Sequence, residues 1–183
     1  MDSSEEKVVS PERIVCGLSR YVVNQLVSKK VDNAFASELR RARAGDLSSP
    51  SFWRLYRGGL NALQLPSAAD FCFYGMSSET TERRLGVFFS VCALLGELAG
   101  GAVSLGASLA MAGMSEARFV RLMRATNERL EDEIIMAARF LVSKGQSLNP
   151  EYAALLLLSD NEFSQMFSDI RHRIARDFYQ SID

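Results

Sequence analysis

The chain reads as all-α. Three observations point there: apolar residues recur at helical spacing in one segment after another, strand-like period-two alternation is absent throughout, and caps, glycines and prolines punctuate the segments. The expected architecture is a helical bundle of about eight or nine helices, which 183 residues suffice to fill as one domain or as two packed lobes. The organisation expected is a loose polar N-terminus over residues 1–10, an N-terminal lobe over 11–100 and a C-terminal lobe over 101–183.

Each element has its own signal. Ser10-Pro11-Glu12 starts the first helix, with Ser10 as cap and Pro11 in the first helical position, where its missing N–H costs nothing. Ile14, Val15, Leu18, Val22 and Leu26 carry it to about Val27. A second helix is predicted over 33–44, with Phe35 and Leu39 inward and Arg40, Arg41 and Arg43 near its C-terminal end, where cations suit the helix dipole. After a turn-rich link over 45–51, Phe52, Leu55 and Tyr56 share one helical face, with Trp53 at its border as a core or lobe-interface anchor. Gly58-Gly59 reads as a turn. Helices resume over 68–74 and from Glu79, with a break around Gly75 to Ser78.

Leu85 to Gly113 contains no Lys or Arg and only Glu97 as a charge, so hydropathy alone flags a membrane span. Gly96 and Gly100 even have the small-residue spacing of paired membrane helices. Against this, Gly100-Gly101 followed by Ser104 looks like a turn between helices of about 15 and 10 residues, each too short to span. Glu97 is costly at mid-bilayer, and the surrounding amphipathic helices need a core to face. A buried helical hairpin is the expectation; a small membrane-embedded or scaffolding protein anchored by residues 85–113 is the alternative.

Gly113 suits a left-handed C-terminal cap, and Ser115 with Glu116 opens the next helix. At about 100° per residue, Phe119, Leu122, Met123, Thr126, Leu130, Ile134, Ala137 and Leu141 fall on one side of a single long helix. Arg118 lies at the edge of that stripe, and Arg121 and Arg124 point away from it. A loop over 145–149 leads to Asn149-Pro150-Glu151, which starts the apolar helix Tyr152 to Leu158. Asp160 or Asn161 caps the last helix, whose stripe is Phe163, Met166, Phe167, Ile170, Ile174 and Phe178, with Arg171, Arg173 and Arg176 flanking or opposing it.

Composition narrows the function classes. A net charge of −1 does not mark a bulk nucleic-acid binder, so any such binding must come from local clustering. Cys16, Cys72 and Cys92 sit in apolar sequence without ligand spacing and read as reduced core residues. The opening MDSSEEKVVS is acidic and polar, unlike a secretory signal or a mitochondrial presequence, which makes the cytoplasm the expected location. His172 is the single histidine, with no metal cluster and no nucleophile pair suggested. Glu131, Asp132 and Glu133 are consecutive and so radiate around a helix instead of converging as an acid–base pair. No glycine-rich phosphate loop has the required spacing. The expectation is a protein that is not an enzyme, with no cofactor, no metal and no small-molecule substrate.

The arginines remain. Arg40, Arg41 and Arg43, Arg118, Arg121 and Arg124, and Arg171, Arg173 and Arg176 form three groups of a residue that contacts phosphate bidentately and stacks on bases. Two readings stand open: one stripe along a nucleic-acid backbone, or pairing with neighbours such as Glu38, Glu128, Asp169 and Asp177.

The run SLGASLAMAGMSEARFVRLMRA resembles the signature segment of the CasB family, the small subunit of the type I-E CRISPR complex Cascade. Ser104, Leu105, Gly106, Leu109, Ala110, Gly113, Ser115, Glu116, Arg118, Phe119, Leu122, Arg124 and Ala125 fit its pattern. Ala107 departs from it, standing where the family often has an arginine, which removes one cation. Leu39 to Ala42, Phe52 to Leu55 and the ending RHRIARDFYQ are also similar to that family, so the resemblance spans about residues 12 to 180. It implies two helical lobes, a pair of copies within the complex, other Cascade subunits as partners, and contact with crRNA and target DNA by a subunit that favours the open R-loop and touches no membrane.

Overall fold

The computed structural model describes residues 11–28, 31–41, 47–65, 76–159 and 165–182. Among them are nine α-helices and no strand, as the periodicity predicts. The expected caps at Ser10 and at Asp160 or Asn161, the helix over 68–74, Cys72, Phe163 and Arg43 lie outside the described residues.

Helix α1 (Pro11–Val27) buries Ile14, Val15, Leu18 and Val22, and α2 (Asn33–Arg41) buries Phe35 and Leu39. The Asp32 carboxylate accepts the Phe35 N–H at 2.7 Å and so satisfies a donor that the first turn of α2 leaves free. Helix α3 (Pro50–Ala62) has Ser49 as its cap, accepting from the Phe52 N–H at 3.3 Å, with Pro50 next. Gly58-Gly59 does not form the expected turn: both glycines lie inside α3. A side chain there collides with Tyr21 or Leu18 of α1, so the pair serves close approach of two helices instead of chain reversal. Trp53 is a little over one third exposed, its ring edge-on to Phe52 and Tyr56 and its N–H bonded to the Leu47 carbonyl at 2.7 Å.

Helix α4 (Ser78–Leu95) is capped by Ser77 and runs through the centre, with residues 84–93 all buried. A 3-10 turn, Gly96–Gly100, and the Ser104 cap then lead into α5 (Leu105–Met111). The two helical stretches are bent by 75°, and no single helix among the described residues is long and apolar enough to cross a membrane. The apolar run is therefore a bent pair, most of whose α4 part is packed inside the fold.

Helix α5 ends in a Schellman motif. Gly113 has φ +78°, its N–H bonds Ala110, and the Met114 N–H bonds Leu109. The long helix expected from Ser115 is two helices, α6 (Glu116–Arg124) and α7 (Asn127–Lys144). Ala125 and Thr126 are extended, and Asn127 takes φ +52°, a left-handed conformation that asparagine tolerates better than most residues. Ser115 occupies the cap position of α6 with extended backbone, but its hydroxyl makes no capping bond. Helix α8 (Glu151–Leu158) is buried from Ala153 on, and α9 (Gln165–Gln180) buries Phe167, Ile170, Ile174 and Phe178.

Two packings position the arginines. Helices α5 and α9 pack closely because residue 106 is glycine: a methyl there runs into the Ile174 carbonyl and the Phe178 amide of α9. Phe119 of α6 then stacks on Phe178, with ring centroids 3.7 Å apart and planes within 2°. Both rings are fully buried, and each contributes about 1.5–3 kcal/mol by leaving water. Elsewhere α4 packs against α2, α7 and α8. Buried Arg84 donates to the Leu157 carbonyl at 2.7 Å and lies 3.8 Å from Glu131 of α7, which also pairs with Arg83 at 3.0 Å. Burial raises the Glu131 carboxyl above its ordinary pKa, and the two arginines pull it back.

Candidate nucleic-acid interface

Helix α6 is amphipathic over only nine residues. Anchoring Phe119 and Leu122 in the core leaves Arg118, Arg121 and Arg124 exposed. Spaced three apart, they form a row along the helix surface. Glu133 of α7 receives Arg121, with Nε 2.6 Å from the carboxylate; the Glu133 side chain is 8% exposed and that of Arg121 48%. Arg118 and Arg124 pair with no carboxylate among the described residues.

Two clefts meet at Arg121. One, of about 340 Å³, is lined by Ala117, Val120, Arg121, Arg124, Ala125 and Arg129. The other, of about 290 Å³, lies between α6 and α7 and is mainly apolar, with Met114, Leu122, Met136, Ala137 and Phe140 beside Arg118, Arg121 and Glu133. Arg129 was not among the residues expected from sequence. On one continuous helix it stands about 140° around the axis from Arg124. The break at Ala125 and Thr126 instead brings it to the same cleft.

The other arginines are placed differently. Arg171 donates through Nη2 to the Ala125 carbonyl at the end of α6, and its guanidinium lies 3.9 Å over the Phe167 ring. Arg173 is exposed and pairs with no carboxylate among the described residues, while Arg176 lies 3.7 Å from Asp177. In α2, Arg40 donates through Nε to the Ala93 carbonyl of α4 at 2.7 Å, and Arg41 to the Ser37 carbonyl within its own helix at 3.2 Å. Helix α2 packs on α3 and α4, whereas α6 packs on α7 and meets α9 through Phe119 and Arg171. Arg171 of α9 is thus a neighbour of the α6 row, and Arg40 and Arg41 are carried by a different part of the bundle.

The acidic residues expected to compete are mostly engaged elsewhere. Glu38 accepts from the Ser49 and Ser51 hydroxyls at 2.6 and 2.5 Å, which hold its carboxyl below the usual range. Glu128 pairs with Arg83 at 2.9 Å, and Asp169 accepts from Gln165 at 3.0 Å. Of the four, only Asp177 meets an arginine of the three groups among the described residues.

Glu131, Asp132 and Glu133 radiate as their spacing requires: Glu131 faces α4, Glu133 faces α6 and Asp132 is exposed. His172 is exposed on α9. Among the described residues no three His, Cys, Asp or Glu side chains gather as metal ligands. Cys92 is fully buried, and burial raises its thiol well above the ordinary value, so it is not a thiolate nucleophile.

Comparison with curated proteins and with solved structures gives no match. A family model does match: that of CRISPR-associated protein Cse2, over residues 36–179, which includes every helix from α3 to α8, two thirds of α2 and nearly all of α9. With four fifths of its length so covered and its signature segment forming the α5–α6 pair against α9, the chain belongs to the Cse2 family, whose members are subunits of the CRISPR complex Cascade.

Proposed function

We propose that the chain is a non-catalytic Cascade subunit that lays the arginine row of α6 against a nucleic-acid backbone. Arg118, Arg121 and Arg124 are the central contacts, joined by Arg129. Arg171, Arg173 and Arg176 of α9 add to this surface, with Arg171 also bracing the end of α6, while Arg40, Arg41 and Arg43 are proposed as a separate set of contacts. The observation that carries this reading is the cleft where Arg121, Arg124 and Arg129 converge, two of them exposed without a carboxylate partner among the described residues and the third half exposed. Such a surface holds phosphates without reading bases, which fits a complex whose guide RNA supplies the sequence information. Two copies lie side by side in the complex, touching crRNA and target DNA and favouring the open R-loop. The proposed boundary between the lobes 11–100 and 101–183 falls at the 75° bend between the α4 and α5 stretches.

Reversing charge at Arg124 and Arg129 (R124E with R129E), which pair with no carboxylate among the described residues, tests this in the assembled, guide-loaded complex. Target-DNA binding at moderate salt is expected to weaken at least about tenfold, since each phosphate contact contributes a salt-dependent part of the affinity. Helix content and incorporation of the subunit into the complex stay unchanged. Unchanged affinity with the variant fully incorporated overturns the proposal.

A further inference from the structure

Glu133 is a carboxylate without an evident place in a surface that binds phosphate. It is buried, on α7, and faces the one helix that carries the exposed arginine row. A like-signed group at that position weakens an anion site unless it does something else there. Its geometry shows what that is. The carboxylate lies 2.6 Å from Nε, the inner nitrogen of Arg121, a close ion pair. The carboxylate is held by the packed face of α7, between buried Leu130, Ile134 and Ala137, and so offers a fixed point. The Arg121 side chain nevertheless stays half exposed, since the carboxylate sits beside Nε and the guanidinium has four further N–H donors on its terminal nitrogens.

We infer that Glu133 is a positioning residue for the proposed phosphate site: it fixes Arg121 through Nε so that the terminal nitrogens are set toward the cleft shared with Arg124 and Arg129. This rests on the reading under Proposed function. An unrestrained arginine loses rotamer freedom when it binds, and a pre-set one has already lost it. The same contact places Arg121 between the two clefts that adjoin it instead of letting it fold along its own helix.

Charge and position are separable at this residue. Glu133→Gln deletes the charge and keeps a polar oxygen of the same reach beside Nε; Glu133→Ala deletes both. Each variant, alone and combined with Arg121→Ala, is assembled into the guide-loaded complex, and its affinity for a target duplex is measured by fluorescence anisotropy. E133Q is expected to bind more tightly than E133A by about two- to tenfold, the cost of ordering one long side chain. That difference is expected to vanish when Arg121 is absent, which a purely structural role of Glu133 does not produce. Equal affinities for E133Q and E133A, or a difference that survives R121A, overturn the inference. Arg124→Ala and Arg129→Ala separate the two levels. If these weaken binding while E133Q and E133A are alike, the site stands and the positioning role falls. If they and R121A all leave binding unchanged, both fall.

Discussion

Glu38 sits where α2 meets α3 and takes hydroxyl hydrogen bonds from both Ser49 and Ser51. Hydrogen bonds to its charged form lower its pKa, so the sign of the pH effect follows: the stabilisation is complete above the ordinary glutamate value of 4.5 and is lost as pH falls below it through the depressed native value. Ser51→Ala is expected to cost about 1 kcal/mol at neutral pH, because the site is partly open to water. That cost should shrink on acidification, and thermal melts of the variant and the parent at pH 7 and near pH 3.5 check it. A difference in melting temperature that does not change with pH separates the stability from the ionisation of Glu38. The same carboxylate shows why residue-level reading of charge is hazardous. In sequence Glu38 lies next to Arg40 and Arg41 and looks like their partner, whereas the fold turns it to two serines and sends Arg40 to a carbonyl of α4.

Among elements, the pair α5 and α9 is the one on which the arginine surface is mounted, and Gly106 decides how closely they approach. The Ser-Leu-Gly run of the signature segment thereby acquires a physical meaning: Ser104 caps α5, Leu105 enters the core, and Gly106 gives room to the backbone of α9. Gly106→Ala puts a methyl against backbone atoms, which cannot rotate aside, and is expected to destabilise by about 2–3 kcal/mol despite alanine's better helix propensity. Chemical denaturation of the purified chain measures this; an unchanged or raised midpoint contradicts the close approach. The elements were legible to different degrees. Helix existence, the cap at Ser104 and the glycine stop at Gly113 follow from local chemistry, and they are found among the described residues; the cap at Ser49 lies inside a stretch read only as a link. The break between α6 and α7 was not legible, because Phe119 to Leu141 keeps an unbroken helical phase across it. Its consequence is large. On a straight helix Arg121 and Glu133 are about 18 Å apart along the axis, so neither their ion pair nor Arg129's part in the cleft can be read from spacing.

At the scale of the whole molecule, net charge and surface chemistry part company. The chain carries 21 basic and 22 acidic residues, yet acids and bases are not mixed evenly. Glu128 and Glu131 are engaged by Arg83 and Arg84 between α4 and α7, and Glu38 by serines, which leaves the row on α6 with Glu133 as the one acidic residue paired to it among the described residues. A near-neutral protein can in this way present a locally basic strip, with low affinity for nucleic acid in bulk and useful affinity once a complex holds that strip in place. Family and fold were legible in the sequence, because capped and glycine-punctuated segments are local signals. The convergence of the arginines was only partly so, because it depends on which helices become neighbours.

That Arg121, Arg124 and Arg129 contact phosphates together is checked by the salt dependence of target binding by the guide-loaded complex. With all three changed to alanine, the slope of log K against log salt is expected to be shallower than that of the parent by about 2 to 3, roughly 0.7–0.9 for each contact removed. Parallel slopes for parent and triple variant, with the subunit fully incorporated in both, contradict it.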